Sequence, residues 1–148
     1  MNYELKRRTV LVAEDDPDDR QWIKEALAEC QVVQNVLFVE DGEQLMDFLL
    51  HHGKYASPGN IGFPGLILLD LNMPKKDGRE ALKEIKTDPR LRHIPVVILT
   101  TSKAEEDTSR TYSLGANTVI HKPLTFDELV EIMRSLANYW FETAEMPL

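Results

Sequence analysis

Short and nearly continuous apolar runs alternate with helix-period segments five times along this chain of 148 residues. The first, third and fourth runs are apolar at almost every position, which is typical of parallel strands covered on both faces. Strands that alternate with helices favour an α/β fold of three layers, with a parallel sheet in the middle. The strands are predicted at 9–13, 36–39, 66–69, 96–99 and 118–120, and the helices at 17–29, 42–51, 78–87, 104–114 and 125–141.

Length and composition indicate a single domain over 1–148, with a core at about 9–139 and a C-terminal tail at 140–148. No apolar run approaches the roughly 18 residues that cross a bilayer, and residues 1–8 lack the apolar stretch of a signal peptide. Cys30 is the single cysteine and excludes an internal disulfide. We therefore expect a cytoplasmic protein with no membrane partner. The net charge of −8 argues against DNA binding.

Acidic, hydroxyl and basic side chains directly follow four of the predicted strands. Glu14 and Asp15 follow the first strand, Asp70 the third, Thr100 the fourth and Lys122 the fifth. Ligands of open parallel sheets bind outside the carboxyl ends of the strands. If strands one, three, four and five are neighbours, these side chains lie together at one edge of the sheet.

The chemistry of this set favours phosphoryl transfer. Clustered carboxylates repel one another, and a hard cation such as Mg²⁺ relieves that repulsion. Asp70 would then act as a nucleophile toward a phosphoryl group. Thr100 would donate a hydrogen bond to that group, and Lys122 would neutralise its oxygens.

The same residues resemble the receiver domain of two-component response regulators. The matching motifs are Glu14-Asp15, Asp70-Leu71-Asn72-Met73-Pro74, Asp77-Gly78, Thr100 and Lys122-Pro123, in the family's order. The resemblance spans about 9–139 and implies a flavodoxin-like (βα)5 sandwich with strand order 2-1-3-4-5.

The resemblance also implies roles for single residues. Asp70 would accept a phosphoryl group from a phosphohistidine on a sensor histidine kinase, with Thr100 and Lys122 completing the catalytic set. Mg²⁺, or Mn²⁺, would be held by Glu14, Asp15, Asp70 and the main-chain carbonyl of Asn72. The Lys122–Pro123 bond would be cis, as is typical of the family. The protein would be a signalling module and not an enzyme with a separate substrate.

A narrower resemblance points to the small regulators that are paired with bacterial phytochromes. It rests on the segments 74–79, 99–102 and 105–107, on Tyr139-Trp140-Phe141 and on the long Gly/Pro loop before the third strand. A phytochrome-type histidine kinase is therefore the expected phosphoryl donor. One departure from the receiver pattern is Val119, which stands where many receivers carry a Tyr or Phe that rotates on activation.

The last predicted helix carries two apolar stripes, which is more apolar surface than one amphipathic helix needs. One stripe should cover the sheet, and the other should belong either to a wide core with a folded-back tail or to a homodimer interface. The stripes are Leu129, Ile132, Leu136 and Trp140, and Phe126, Val130, Met133, Ala137 and Phe141. We predict an interface at Phe126, Val130, Tyr139, Trp140 and Phe141. With few residues after this helix, any output is expected to be a protein contact.

Three alternatives fit parts of the pattern. A haloacid-dehalogenase-type phosphatase also uses a strand-end aspartate, but it needs a second Asp at the position of Asn72. A flavodoxin-like flavin carrier would place a phosphate against Glu14, Asp15 and Asp16, which would repel it. A receiver-like binding module without phosphorylation would not need Asp70, Thr100 and Lys122 together.

Overall fold

The structure is a computed structural model and describes residues 8–56, 63–101 and 105–144. Each predicted strand and helix is present. The elements are β1 Thr9–Ala13, α1 Pro17–Ala28, β2 Asn35–Val39, α2 Gly42–Leu50, a 3-10 turn at Gly53–Tyr55, β3 Leu66–Asp70, α3 Gly78–Thr87, β4 Val96–Thr100, α4 Glu105–Ser113, β5 Thr118–His121, α5 Phe126–Asn138 and a π-helical turn at Tyr139–Thr143.

The five strands form one parallel sheet in the order β2-β1-β3-β4-β5. This order confirms the predicted topology. The register pairs Asp70 at the end of β3 with Leu99, and Thr100 at the end of β4 with His121. The polar residues that follow the strands are thereby brought to the same edge of the sheet.

Alternate residues of β1 enter two different cores, which explains why the strand is apolar throughout. Leu11 and Ala13 face α2 and α3, whereas Val10 and Val12 face α1 and α5. Cys30 is buried in the second core, as expected for a structural thiol. None of the described helices is both long and apolar enough to cross a membrane.

The boundaries differ from the prediction at a few ends. β3 and β4 each extend by one residue, so Asp70 and Thr100 are the last residues of their strands. The α-helical part of α5 ends at Asn138 and continues as the π-helical turn, where the prediction had one helix to residue 141. The predicted long loop at 53–65 and the tail lie partly outside the described residues.

The two stripes of the last helix are separated by the packing of α5 against α1 and the sheet. Val130, Met133, Ala137 and Phe141 are buried in the second core. Val130 and Phe141 therefore do not belong to an exposed interface, which corrects two of the five interface residues predicted.

The remaining three predicted interface residues reach the surface to different extents. Phe126 is half-buried against Trp22, with ring centroids 6.1 Å apart. Trp140 is half-buried, and Tyr139 is 53% exposed. The stripe that stays accessible is the one with Ile132, Leu136 and Trp140.

Gly78, the first residue of α3, lies directly against the end of β3. Its amide donates to the carbonyl oxygen of Leu71 at 3.0 Å. A Cβ at this position would overlap the main-chain oxygen of Asp70 and lie 2.7 Å from Cα of Leu71. Both of these neighbours are backbone atoms and have little room to move.

The change Gly78→Ala should therefore lower the free energy of unfolding by about 1–3 kcal/mol, the usual cost of overpacking. It should also shift the amide resonances of Asp70 and Leu71. Urea denaturation and NMR of the variant measure these effects.

The change Gly53→Ala is the matched control. Its strain comes from a φ of 57°, and its nearest neighbour is the Asp47 side chain at 3.5 Å. It should lose stability without moving the Asp70 and Leu71 resonances. Equal resonance shifts in both variants would contradict the steric argument.

Candidate phosphoryl-acceptor site

Three carboxylates meet at the carboxyl edge of the sheet. Glu14 and Asp15 directly follow β1, and Asp70 ends the neighbouring strand β3. One carboxylate oxygen from each of them lies within 4.8 Å of the others. Glu14 and Asp70 are buried, at 1% and 7% exposure, and Asp15 is half-buried. The predicted acidic cluster is therefore present.

The ammonium group of Lys122, which follows β5, balances part of this negative charge. Lys122 Nζ donates to Glu14 Oε1 at 2.6 Å and to Asp19 Oδ2 at 2.8 Å. It lies 3.7 Å from Asp70 Oδ2. Burial by itself lowers the pKa of Lys122, but the hydrogen bonds to Asp19 and Glu14 and the nearby negative charges outweigh it and raise the pKa. Lys122 is therefore a fixed cation at the site.

Glu14 is the carboxyl group of the cluster whose ionisation is clearly disfavoured by its surroundings. Burial, together with a hydrogen bond between Glu14 and Asp70, raises the pKa of Glu14 to about 8, although Lys122 acts in the opposite direction. Burial and the neighbouring Asp70 carboxylate both disfavour the anionic form of Glu14.

The oxygen-only cluster fits a hard divalent cation. Such a cation would favour the anionic form of Glu14 and be held by Glu14, Asp15 and Asp70. Asn72 follows β3 in the adjoining loop, and its contribution of a main-chain carbonyl stays a prediction. Its main-chain amide donates to Asp70 Oδ1 at 3.2 Å.

The loop after β1 is held by its own helix. Asp16 caps α1, accepting from the amides of Asp18 and Asp19, so it is peripheral to the cluster. Arg20 donates to the main-chain oxygens of Glu14 and Asp15 at 3.2 and 3.1 Å. The guanidinium of Arg20 therefore lies against this loop.

Asp19 is the contact that sequence reasoning missed. It lies in the first turn of α1, four residues after Asp15, which precedes the helix. Its closeness in sequence to the acidic pair was the available signal. Asp19 lies outside the cluster of Glu14, Asp15 and Asp70.

Thr100 is buried at the end of β4, and its main-chain oxygen accepts from the amide of Lys122 at 2.8 Å. The ends of β4 and β5 are thereby joined at the site. The Lys122–Pro123 bond is trans, which corrects the expected cis bond. The trans form is the ordinary one before proline. With it, Lys122 still donates to Glu14 and Asp19.

Val119 was identified as a departure from the receiver pattern, since it replaces a rotating aromatic residue. In the structure Val119 is half-buried against the first core. Its amide donates to the hydroxyl oxygen of Tyr112 at 3.0 Å. An aromatic side chain therefore contacts this part of β5 from α4.

Comparison with known proteins identifies the family. The family model for the response regulator receiver domain matches residues 10–134. The response regulator Rcp1 of Synechocystis is 39% identical over 140 residues, which cover 95% of this chain and 93% of Rcp1. A structure of Rcp1 in its Mn²⁺-bound form has a TM-score of 0.84 to this one.

Two further solved structures are similar over nearly the whole chain. The phosphorylated cyanobacterial phytochrome response regulator RcpA is 43% identical, with a TM-score of 0.85 and coverage of 95% of this chain and 98% of RcpA. RPA3017, from red light signalling in R. palustris, is 37% identical, with a TM-score of 0.87 and coverage of 95% and 98%. The predicted resemblance to receivers, and to phytochrome regulators among them, is confirmed.

The charge crowding in the cluster predicts a gain in stability when one acid is neutralised. Without a divalent cation, Asp70→Asn should raise the free energy of unfolding by about 1 kcal/mol or more, because Glu14 then ionises beside one anion fewer. Wild type should gain about 1.4 kcal/mol from Mg²⁺ at ten times its Kd, and the variant should lose most of this gain. Urea denaturation with and without Mg²⁺ measures both effects.

The matched control is Asp18→Asn, which removes an exposed carboxylate next to the site but outside the cluster. It should keep the stabilisation by Mg²⁺. A variant Asp70→Asn that is less stable than wild type without metal would rule out charge crowding as the dominant effect.

Proposed function

Because the chain belongs to the response regulator receiver family, we propose that it is a phosphorylation-switched signalling module with Asp70 as the phosphoryl acceptor. The observation that carries this proposal is the position of Asp70. It is buried at the edge of the sheet, within 4.8 Å of two other acids and 3.7 Å from the ammonium of Lys122.

The proposed reaction forms one bond and breaks one. A carboxylate oxygen of Asp70 attacks the phosphorus of a phosphohistidine, and the bond from phosphorus to the imidazole nitrogen breaks as the imidazole leaves with the electron pair. Lys122 stabilises the negative charge on the phosphoryl oxygens through a charge-assisted hydrogen bond. Thr100 donates from the adjacent strand end.

Mg²⁺, or Mn²⁺, is the proposed cofactor, held by Glu14, Asp15, Asp70 and the main-chain carbonyl of Asn72. When bound, the cation supplies positive charge beside the transferred phosphoryl group. The carboxylate cluster and the Mn²⁺-bound form of the relative Rcp1 support this assignment. The chain's own part is to hold the acids close together through a loop that Arg20 and the α1 cap fix in place.

The proposed donor is a sensor histidine kinase of the phytochrome type. Its support is the 43% identity to a phosphorylated phytochrome response regulator and the further relative from red light signalling. Such a kinase takes its phosphoryl group from ATP, so the exchange is proposed to occur in the cytoplasm. The net charge of −8 argues against DNA as a direct target.

Phosphorylation of Asp70 is tested by intact mass after incubation with a small acyl phosphate. Wild type should gain one phosphoryl group, about 80 Da, only with Mg²⁺, and Asp70→Asn should gain none. Asp88→Asn, which changes a half-buried aspartate paired with Arg90 at the end of α3 remote from the site, should behave as wild type.

A phytochrome-type kinase then tests the donor. Its phosphohistidine should transfer to wild type faster than that of an unrelated histidine kinase. An adduct that persists in Asp70→Asn would show that another residue is the acceptor. The absence of any adduct in wild type would favour a binding module that lacks the chemistry.

The proposed partner for output is a second copy of the chain, bound at the outer face of α5. A groove of 390 Å³ lies between this helix and β5, which is an edge strand. Its lining is mainly apolar and includes Ile120, Ile132, Leu136, Tyr139 and Trp140. The exposed Tyr139 packs edge-on against Trp140, with ring centroids 5.0 Å apart. An exposed apolar patch of this kind is typical of a protein contact.

The dimer is tested by light scattering on Tyr139→Glu. The variant should have a lower mass than wild type, because a charge in an apolar contact is costly to bury. Leu124→Glu, which changes a residue 87% exposed outside the groove, should leave the mass unchanged. A wild type that is already monomeric, with and without phosphorylation, would contradict the dimer.

A further inference from the structure

Asp19 forms a short ion pair with Lys122 that the proposed catalytic set does not explain. The distance from Lys122 Nζ to Asp19 Oδ2 is 2.8 Å, almost as short as the 2.6 Å to Glu14 and well below the 3.7 Å to Asp70. The pair joins residues 103 positions apart in the sequence. It therefore ties α1 to the loop after β5.

The backbone of Asp19 is held in place by the start of α1. The side chain of Asp16 accepts from the amide of Asp19 at 3.1 Å, and Pro17 begins the helix. Because the main chain of Asp19 is already fixed and its side chain is short, forming the ion pair with Lys122 costs little conformational entropy. The neighbouring Asp18 lies in the same turn, is exposed, and its side chain makes no hydrogen bond or ion pair with Lys122.

Asp19 and Glu14 differ in what else they can bind. Glu14 belongs to the cluster of acids that fits a divalent cation, whereas Asp19 lies outside it. An ammonium group has three donors, and two of them are engaged by these acids. If Glu14 coordinates a divalent cation and gives up its hydrogen bond to Lys122, Asp19 still holds Lys122.

We propose that Asp19 is a positioning residue that anchors Lys122 Nζ beside Asp70 for phosphoryl transfer. This inference rests on the proposed role of Asp70 as the acceptor. Asp19 acts through Lys122 and does not itself touch the phosphoryl group. Its loss leaves the acceptor and the carboxylate cluster intact but lets the long lysine side chain leave the site.

The test compares Asp19→Asn with Asp18→Asn, since each removes one negative charge from the same turn. At saturating Mg²⁺, the maximal rate of phosphorylation by a small acyl phosphate should fall about tenfold in Asp19→Asn, as expected when a reacting group is misplaced. It should stay within about twofold of wild type in Asp18→Asn. Both variants should still reach one phosphoryl group per chain.

A double-mutant comparison separates anchoring from a general structural role. In a chain that already carries Lys122→Ala, adding Asp19→Asn should cause no further loss of rate. An additive loss in that background would overturn the proposal. So would an equal loss in Asp18→Asn and Asp19→Asn, because the effect would then come from charge at the start of the helix.

The anchor also has a signature that needs no phosphorylation. Isotope-edited NMR of lysine ammonium groups should show a protected Lys122 resonance in wild type and Asp18→Asn, both with and without Mg²⁺. In Asp19→Asn the protection should be lost when Mg²⁺ is bound, because Glu14, which pairs with Lys122 at 2.6 Å, is then engaged by the cation. A protected resonance that persists in Asp19→Asn at saturating Mg²⁺ would overturn the anchor. If wild type accepts no phosphoryl group, the role of Asp70 fails, and this measurement still decides whether Asp19 holds Lys122.

Discussion

Repulsion among the carboxylates of Glu14, Asp15 and Asp70 is the constraint on which the rest of the site depends. Their oxygens lie within 4.8 Å, and two of the three residues are buried. Such an arrangement costs free energy, because desolvated anions next to one another are unfavourable. The apolar strands that converge on this edge supply the offsetting stability, since β1, β3 and β4 are buried along their whole length.

The means of relieving this repulsion also define what the site can do. Lys122 offers one positive charge, and the raised pKa of Glu14 disfavours the anionic form of that carboxyl group. In the proposed function, a phosphoryl group adds negative charge where charge is already in excess. The ends of β4 and β5 must respond, because Lys122 is joined both to the acids and, through its amide, to Thr100. In the proposed switch, the negative charge at this edge of the sheet is therefore only partly compensated before phosphorylation.

The sequence predicted the structure well where the polarity of a segment alone determines its burial. It predicted less where burial depends on how one helix packs against another. Continuous apolar runs can only be buried strands in this setting, and a charged residue at the end of each then has a defined place, as for Asp70. The stripes of α5 are both apolar, so the choice between them depends on how the helix rests against α1, where Trp22 meets Phe126. Asp19 shows the same limit. The sequence places it in the first turn of α1, but it does not show that Lys122, which follows β5, contacts it.

The site and the groove share one strand, which couples the two proposed activities. β5 ends beside the acids, and its residues Thr118 and Ile120 line the groove against α5. Among the described strands, β4 alone pairs with it, and Tyr112 of α4 contacts it at Val119. A shift of β5 would therefore move residues both beside the carboxylate cluster and in the groove. By linkage, if a phosphoryl group on Asp70 changes the affinity between two copies by some factor, association must change the phosphorylation equilibrium by the same factor.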